Sequence, residues 1–343
     1  MDKGGGRTGT VQGLPGPWLV ADIGGTNARF GWVDAGSGTV ECVATILAAD
    51  HAGPAEAAQA YLEGVSRRLG ARYRPPRAGA LAVATAVDGD RVEFTNSGWA
   101  FSRRDAQSAL ALDELLLLND FEALALSLPR LQGSQIRPFG PAAVAPLRAS
   151  EQGTLAVIGP GTGLGVAGLV PSRHGWVAVP GEGGHATLAA TDDFETALLA
   201  AVRRDHVHVS AERLLSGIGL PVLHAAVARV LGQSVGPLTA GEIVERGLAG
   251  QDALCSRTVD SFCALLGGFS GNVALVLGAR GGVYIGGGIV PRLGERFFAS
   301  RFRECFEAKG RFQGYLQAIP TAVITDTLAA LAGTVRALEQ HGR

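Results

Sequence analysis

Twice along this chain, three apolar alternating runs follow one another with a glycine turn between the first two. The first set is WLVADIG, ARFGWVD and TVECVATIL, within 17–46; the second is TLAVIG, GLGVAGLVP and GWVAVPG, within 154–181. Alternation with period two marks strands, and short glycine-rich links join antiparallel neighbours. Each set therefore predicts a three-strand meander. A build that starts over midway through 343 residues predicts an α/β protein of two related domains. The architecture repeats; the residues do not.

Between the meanders, PAEAAQAYLEGVSRRLG (54–70) predicts a helix with proline in its first turn and glycine at its end. GALAVATAV, a DGD turn and RVEFTN follow as strand, turn and strand. LLLLND predicts a buried strand ending in polar residues, and FEALALSLP a helix closed by Pro129. The polar, proline-rich stretch 131–153 is expected to connect the domains. Beyond 181 the pattern predicts helices at 191–204, 210–231, 240–248 and near 251–278, with strands at GGVYIGGG and TAVIT. In the long helix, CALLGGFSGNVALVLG is interrupted by small residues and Asn272, which reads as a core helix rather than a membrane span. Residues 1–16 lack periodicity and are expected to be a disordered leader. Its GGGRTG formally matches GxGxxG, yet neither a strand precedes it nor a helix follows, so a dinucleotide site is excluded there.

Thirty basic side chains against thirty-one acidic ones give no electrostatic warrant for nucleic acid or an anionic membrane. A small molecule is the expected partner. Four cysteines without CxxC spacing read as reduced thiols of a cytoplasmic protein. Fifty glycines are about twice the usual share of roughly 7%. They gather in IGGT, GPGTGLG, GEGGH, LGGFSG and GGVYIGGG, which predicts a site assembled from distant turns.

Two of those turns carry threonine at equivalent places: Gly24-Gly25-Thr26, and Gly161-Thr162-Gly163. Backbone N–H groups and hydroxyls from two turns make a concave anion site. Asp22 beside the first is suited to a hydrated Mg²⁺, which prefers oxygen and keeps its waters. No Gly-Lys-Ser/Thr occurs, so the phosphate site is not of the Walker kind. Asn119-Asp120 falls where a strand meets a helix. Asp120 there is either a helix cap or a carboxylate placed to accept a hydroxyl proton. Glu182, His185 and Glu212, the last expected to open a helix, complete with Asn119 a hydrogen-bonding set for a polyhydroxylated ligand.

These segments, together with TNSGWAFS, HVSAERLLSGIGL and FRECFEAKGRFQGYLQAIPT, run from about 18 to 321 in an order that resembles the bacterial glucokinases of the non-ROK type, within the hexokinase–actin–Hsp70 ATPase superfamily. No cysteine-rich zinc motif follows His185, unlike the ROK kinases. The resemblance implies a two-domain actin-like (ribonuclease H-like) ATPase fold with a cleft between the domains. The smaller domain would be 17–130 plus about 322–343, and the larger about 131–321. It implies ATP bound by Ala21, Asp22, Ile23, Gly24, Gly25 and Thr26, by Gly161, Thr162 and Gly163, and on the adenosine side by Gly286, Gly287 and Gly288. Glucose would be held by Asn96, Asn119, Asp120, Glu182, His185 and Glu212, with Asp120 as catalytic base on the 6-hydroxyl. A homodimer is the family expectation. The same polar set would suit another hexose, and a sugar sensor without catalysis is opposed by Asp120 and both phosphate turns. Two departures stand out: Ala86 where the family usually has proline, and ITDTLAALAGTVRAL in place of a more glycine-rich stretch.

Overall fold

The first meander forms as its alternation predicts, in a computed structural model that describes residue 14 and residues 16–34, 38–94, 98–142, 153–173 and 175–341. Strand β1 (Trp18–Ile23) pairs antiparallel with β2 (Asn27–Val33), and β2 with β3 (Val40–Leu47). Helix α1 (Pro54–Leu69) starts on Pro54, whose missing N–H costs nothing in a first turn, and stops at Gly70 with φ 53°. Its Ala57, Ala58, Tyr61 and Val65 form one buried face, and the Tyr61 ring stacks on Phe30 with centroids 5.3 Å apart. Strand β4 (Ala78–Val83) lies parallel to β1 and is buried throughout. The chain then makes the small hairpin β5 (Arg91–Glu93) and β6 (Ala100–Ser102), helix α2 (Arg103–Ala109), β7 (Glu114–Asn119) and α3 (Asp120–Ser127). β7 is parallel to β4, giving a sheet of order β3-β2-β1-β4-β7.

The same plan returns after Pro129. An edge strand β8 (Ile136–Phe139) precedes the second meander, β9 (Leu155–Pro160), β10 (Leu164–Ser172) and β11 (Gly175–Gly181). Helices α4 (Asp193–Val202), α5 (Gly219–Val230), α6 (Ala240–Ala249) and α7 (Ala253–Leu277) follow, then β12 (Gly282–Ile285). Four short helices, α8 (Ile289–Leu293), α9 (Glu295–Phe298), α10 (Phe302–Glu307) and α11 (Gln313–Gln317), lead to β13 (Thr321–Ile324). The sheet order β11-β10-β9-β12-β13-β8 repeats the first sheet, with β8 added antiparallel at its edge. Helix α12 (Ala329–His341) closes the chain by packing on α3. Each sheet has its own core, and the chain divides into one unit that runs to Leu128 and resumes at Leu328, and another of Pro129–Thr327. This doubled sheet is the two-domain actin-like fold that the resemblance implies.

Several expectations are corrected. The helix expected over 210–231 begins only at Gly219, because the Gly217 N–H, which a helix from 210 would return to the carbonyl four residues earlier, is spent on the Gly161 carbonyl. Glu212 thus sits in a turn, not at a helix start. The stretch 131–153 holds β8, a strand too short to show a pattern. Its Phe139 packs among Phe297, Phe298 and Phe302, at ring distances of 5.3, 5.8 and 5.3 Å. Residues 321–324 pair in the second sheet, so the return to the first unit comes at Leu328 rather than about 322. Gly267 and Gly271 of LGGFSG serve helix packing. A Cβ on Gly267 would run into the Phe302 carbonyl, and one on Gly271 would lie 2.5 Å from that of Phe306, so α10 crosses α7 backbone to backbone. Among the described residues α7 alone is long and apolar enough to cross a membrane, and 78% of its most apolar stretch is buried inside the protein, as in a core helix. GGGRTG and Asn96 lie outside the described residues.

Candidate active site

In the first unit the parallel strands fix where chemistry gathers. Ile23 of β1 lies beside Val83 of β4, and Val83 beside Asn119 of β7, so three carboxyl ends reach the same level. That edge of a parallel sheet is where α/β proteins place ligands. From β1 the chain enters Gly24-Gly25-Thr26, a turn closed by the Gly24 N–H donating to the Asn27 carbonyl at 2.9 Å. The Thr26 carbonyl accepts from Ala48 at 2.9 Å, which ties the turn to the residue after β3. From β7 the chain enters α3, and the cap of that helix is Asn119, not Asp120. The Asn119 Oδ1 accepts the Phe121 N–H at 2.9 Å while its Nδ2 donates to the Thr85 carbonyl at 3.2 Å. Asp120 is the first residue of the helix, its Oδ1 also 2.9 Å from the Phe121 nitrogen. One asparagine therefore ties the end of β7, the loop after β4 and the start of α3 together. Ala86 lies exposed in that loop and displaces none of these bonds.

The second unit builds its half from the equivalent strands. The β9–β10 turn, Gly161-Thr162-Gly163, is closed by the Gly161 N–H on the Gly163 carbonyl at 2.8 Å. Beside it, Gly286 donates to the Ile158 carbonyl at 2.8 Å, which carries Gly286-Gly287-Gly288 to the carboxyl end of β9. Gly287 has φ +76°, and a Cβ there would strike the Pro160 carbonyl; only glycine fits. Glu182 and His185 stand on the loop after β11. His185 Nε2 is 4.0 Å from Glu182 Oε2 and 3.9 Å from Glu212 Oε1. An imidazole between two carboxylates, on an exposed loop, offers donors and acceptors to hydroxyl groups.

Electrostatics separate the carboxylates. Asp22 lies 3.8 Å from the Arg29 guanidinium, beyond hydrogen-bond reach. Burial at the sheet edge raises its pKa above the ordinary range, and Arg29 only partly offsets this. Such a carboxylate gains from a nearby divalent cation. Among the described residues no cluster of three or more His, Cys, Asp or Glu side chains would cage a metal. A single oxygen donor fits Mg²⁺ that keeps its waters and shares phosphate ligands. Burial also raises Glu122, one turn into α3, above the usual glutamate value.

Sequence reasoning singled out the side chains but missed the backbone groups that hold them. The Gly217 N–H donates to the Gly161 carbonyl at 2.8 Å, and the Glu212 Oε2 accepts from Leu164 N–H at 2.8 Å. SAERLLSG carries both Glu212 and Gly217, so the motif was visible and its partner turn, 48 residues upstream of Glu212, was not. Thr85, whose carbonyl orients Asn119, carried no signal of its own.

Comparison with known proteins was made against this geometry. The sequence profile of the glucokinase family matches residues 19–341. A glucokinase of Aromatoleum aromaticum is 46% identical over 94% of this chain and 95% of its own length. One of Chromobacterium violaceum is 44% identical over 96% of this chain and 92% of its own. Among solved structures, a glucokinase from an Antarctic psychrotroph superposes with TM-score 0.84 at 36% identity, covering 94% of this chain and 98% of that one.

Proposed function

Because the chain belongs to the glucokinase family and is thereby an ATP-dependent enzyme that phosphorylates glucose, we propose that Asp120 is the catalytic base of that transfer. The observation that carries this is the common level of Ile23, Val83 and Asn119, which puts Asp120 on the same sheet edge as the first phosphate turn. Phosphoryl transfer passes through a loose transition state, so positioning and charge neutralisation dominate. The bond between glucose O6 and the γ-phosphorus forms as the bond to the bridging oxygen of ADP breaks, and the O6 proton goes to Asp120. The turns Gly24-Gly25-Thr26 and Gly161-Thr162-Gly163 hold the phosphates through the threonine hydroxyls and the N–H groups of Gly25, Thr26, Thr162 and Gly163, while the Gly24 and Gly161 N–H groups close the turns themselves. Ala21 and Ile23 shape the first turn, and Gly286, Gly287 and Gly288 line the adenosine. Asn119, Glu182, His185 and Glu212 hold the sugar hydroxyls, with Asn96 added on its motif. Asp22 would hold Mg²⁺ through water, where the ion supplies charge neutralisation to the phosphates. A cytoplasmic homodimer belongs to the same reading, on the strength of the resemblance.

A coupled assay for glucose 6-phosphate, with glucose and Mg·ATP, tests this beside Asp120→Ala. Turnover in the variant is expected to fall by roughly 10² or more with sugar affinity within a few-fold, a loss of general-base size. An unchanged kcat would remove Asp120 from that role.

A further inference from the structure

Away from the glycine turns and the sugar loop, the second unit holds a cavity of about 350 Å³. It lies between the end of α4, the turn at Asp205 and His206, one face of α5 and the loop before α6. Small-molecule sites run from about 300 to 1,000 Å³, so this one suits a small ligand. Most of its wall is aliphatic: Val202, Pro221, Val222, Val235, Pro237 and Leu238. Two side chains of α5 interrupt that lining. The first is His224, only 3% exposed, whose Nδ1 lies 2.9 Å from Thr258 Oγ1. Thr258 gives its own hydroxyl proton to the Leu254 carbonyl at 2.8 Å. Nδ1 is therefore the donor to Thr258, and Nε2 carries the lone pair. Burial lowers the His224 pKa against the opposing pull of Asp252, which keeps the ring neutral. Among the described residues Nε2 has no hydrogen-bond partner, although buried acceptors are nearly always paired. It is not sealed into the core either, and the open space that His224 lines is this cavity.

The second is Arg229, further along the same helix. Its Nη1 donates to the Ala201 carbonyl at 2.8 Å and to Asp205 Oδ2 at 3.1 Å, which fixes the guanidinium at the cavity wall. Both Nη1 protons are thereby spent, while Nη2 and Nε have no acceptor among the described residues. At 1.5 Å per residue, His224 and Arg229 leave the helix about 7.5 Å apart along its axis. We propose that this cavity binds a small hydroxy acid, whose hydroxyl donates to His224 Nε2 and whose carboxylate takes the unspent edge of Arg229. A neutral imidazole acceptor selects a donor, and a steadied guanidinium selects a planar anion. The aliphatic wall between them requires an apolar body, because a hydroxyl buried there would go unpaired. Neither glucose nor ATP carries that pattern. The site is also separate in residues, since it shares none with the two glycine turns or with Glu182, His185 and Glu212.

Calorimetric titration of the full chain with 4-hydroxyphenylacetate, an apolar ring with a hydroxyl at one end and a carboxylate at the other, tests the site. Binding is expected with a Kd below about 1 mM, and saturating glucose should leave it unchanged. Phenylacetate, which lacks the hydroxyl, should bind about five-fold more weakly, and 4-hydroxybenzyl alcohol, which lacks the carboxylate, about ten-fold or more. Arg229→Gln should weaken the acid by about ten-fold and the alcohol by less than about two-fold. Ala225 lines the cavity from an exposed position on α5, so Ala225→Trp should fill the space without entering the core and abolish binding of both. Both variants should keep the unaltered rate of glucose phosphorylation, which shows that they fold. No binding up to about 10 mM of the acid, equal affinity for phenylacetate, or binding that persists in Ala225→Trp overturns the proposal. Displacement of the acid by glucose overturns it too, by putting the probe in the sugar site. So does an Arg229→Gln variant that weakens acid and alcohol alike, because the carboxylate then lies elsewhere.

Discussion

Asp22 and Asp120 stand at the carboxyl ends of parallel strands in one sheet, yet their surroundings ask for different chemistry. Asp22 is a desolvated carboxylate with a distant cation, so its oxygen is worth most to a bound metal. Asp22→Asn should raise the Mg²⁺ concentration needed for half-maximal activity by 10- to 100-fold, the usual cost of losing an outer-shell partner. A Mg²⁺ titration at saturating ATP and glucose would read this, and an unmoved midpoint would take Asp22 out of the metal's shell. Thiols give a second residue-scale prediction. Burial pushes Cys255 and Cys305 up to about 11 and Cys263 up to about 12, so at pH 8 almost none is thiolate. Cys42 is half-buried. Iodoacetamide at pH 8 should alkylate Cys42 in the native protein and spare the other three, with mass mapping as the check. At this scale the sequence left Asp120 undecided, since Asn and Asp are equally good caps. The structure assigns the cap to Asn119, whose backbone is extended and whose Oδ1 accepts the Phe121 N–H, while its Nδ2 is oriented by the Thr85 carbonyl.

Helices in this protein are held by their ends and by places where backbones touch. Asp252 caps α7, accepting from Leu254 at 2.9 Å and Cys255 at 3.0 Å, and these bonds lower its pKa below 3.8. A folded pKa below the unfolded one gives stability that is complete above the unfolded value and is lost as pH falls through the folded value. Asp252→Ala should therefore cost about 1 kcal/mol in urea unfolding at pH 7, and the gap to the unaltered protein should close at acid pH below 3.8. A constant gap would mean the cap does not depend on charge. On α12, a Cβ at Gly333 would drive into the Ala123 carbonyl of α3. Gly333→Ala should destabilise by about 1–3 kcal/mol, the cost of overpacking, despite alanine's better helix propensity. A raised melting temperature would show that α12 can slide. Glycine counts in the sequence cannot tell such packing glycines from ligand-facing ones, because both put a backbone close to something else.

At the scale of the whole molecule, the last helix belongs with the first strands. α12 packs on α3, β4 and β1, and it covers side chains of a sheet completed two hundred residues earlier. Deleting residues from Leu328 onward should abolish glucose phosphorylation and open the first unit to protease, as limited proteolysis with mass mapping would report. Survival of both would mean that the first sheet stands without α12. The sequence by itself determined the two meanders, the ends of α1 at Pro54 and Gly70, the glycine turns and the polar residues beside them. These depend on period-two alternation and local backbone geometry, which a few adjacent residues fix. Tertiary structure decided the rest: the short strand β8, the late start of α5, the return at Leu328, and the meeting of Glu212 with Leu164. Each depends on a partner far away in the chain, and a hydrogen bond or a close backbone approach between distant segments leaves no periodic trace in either one.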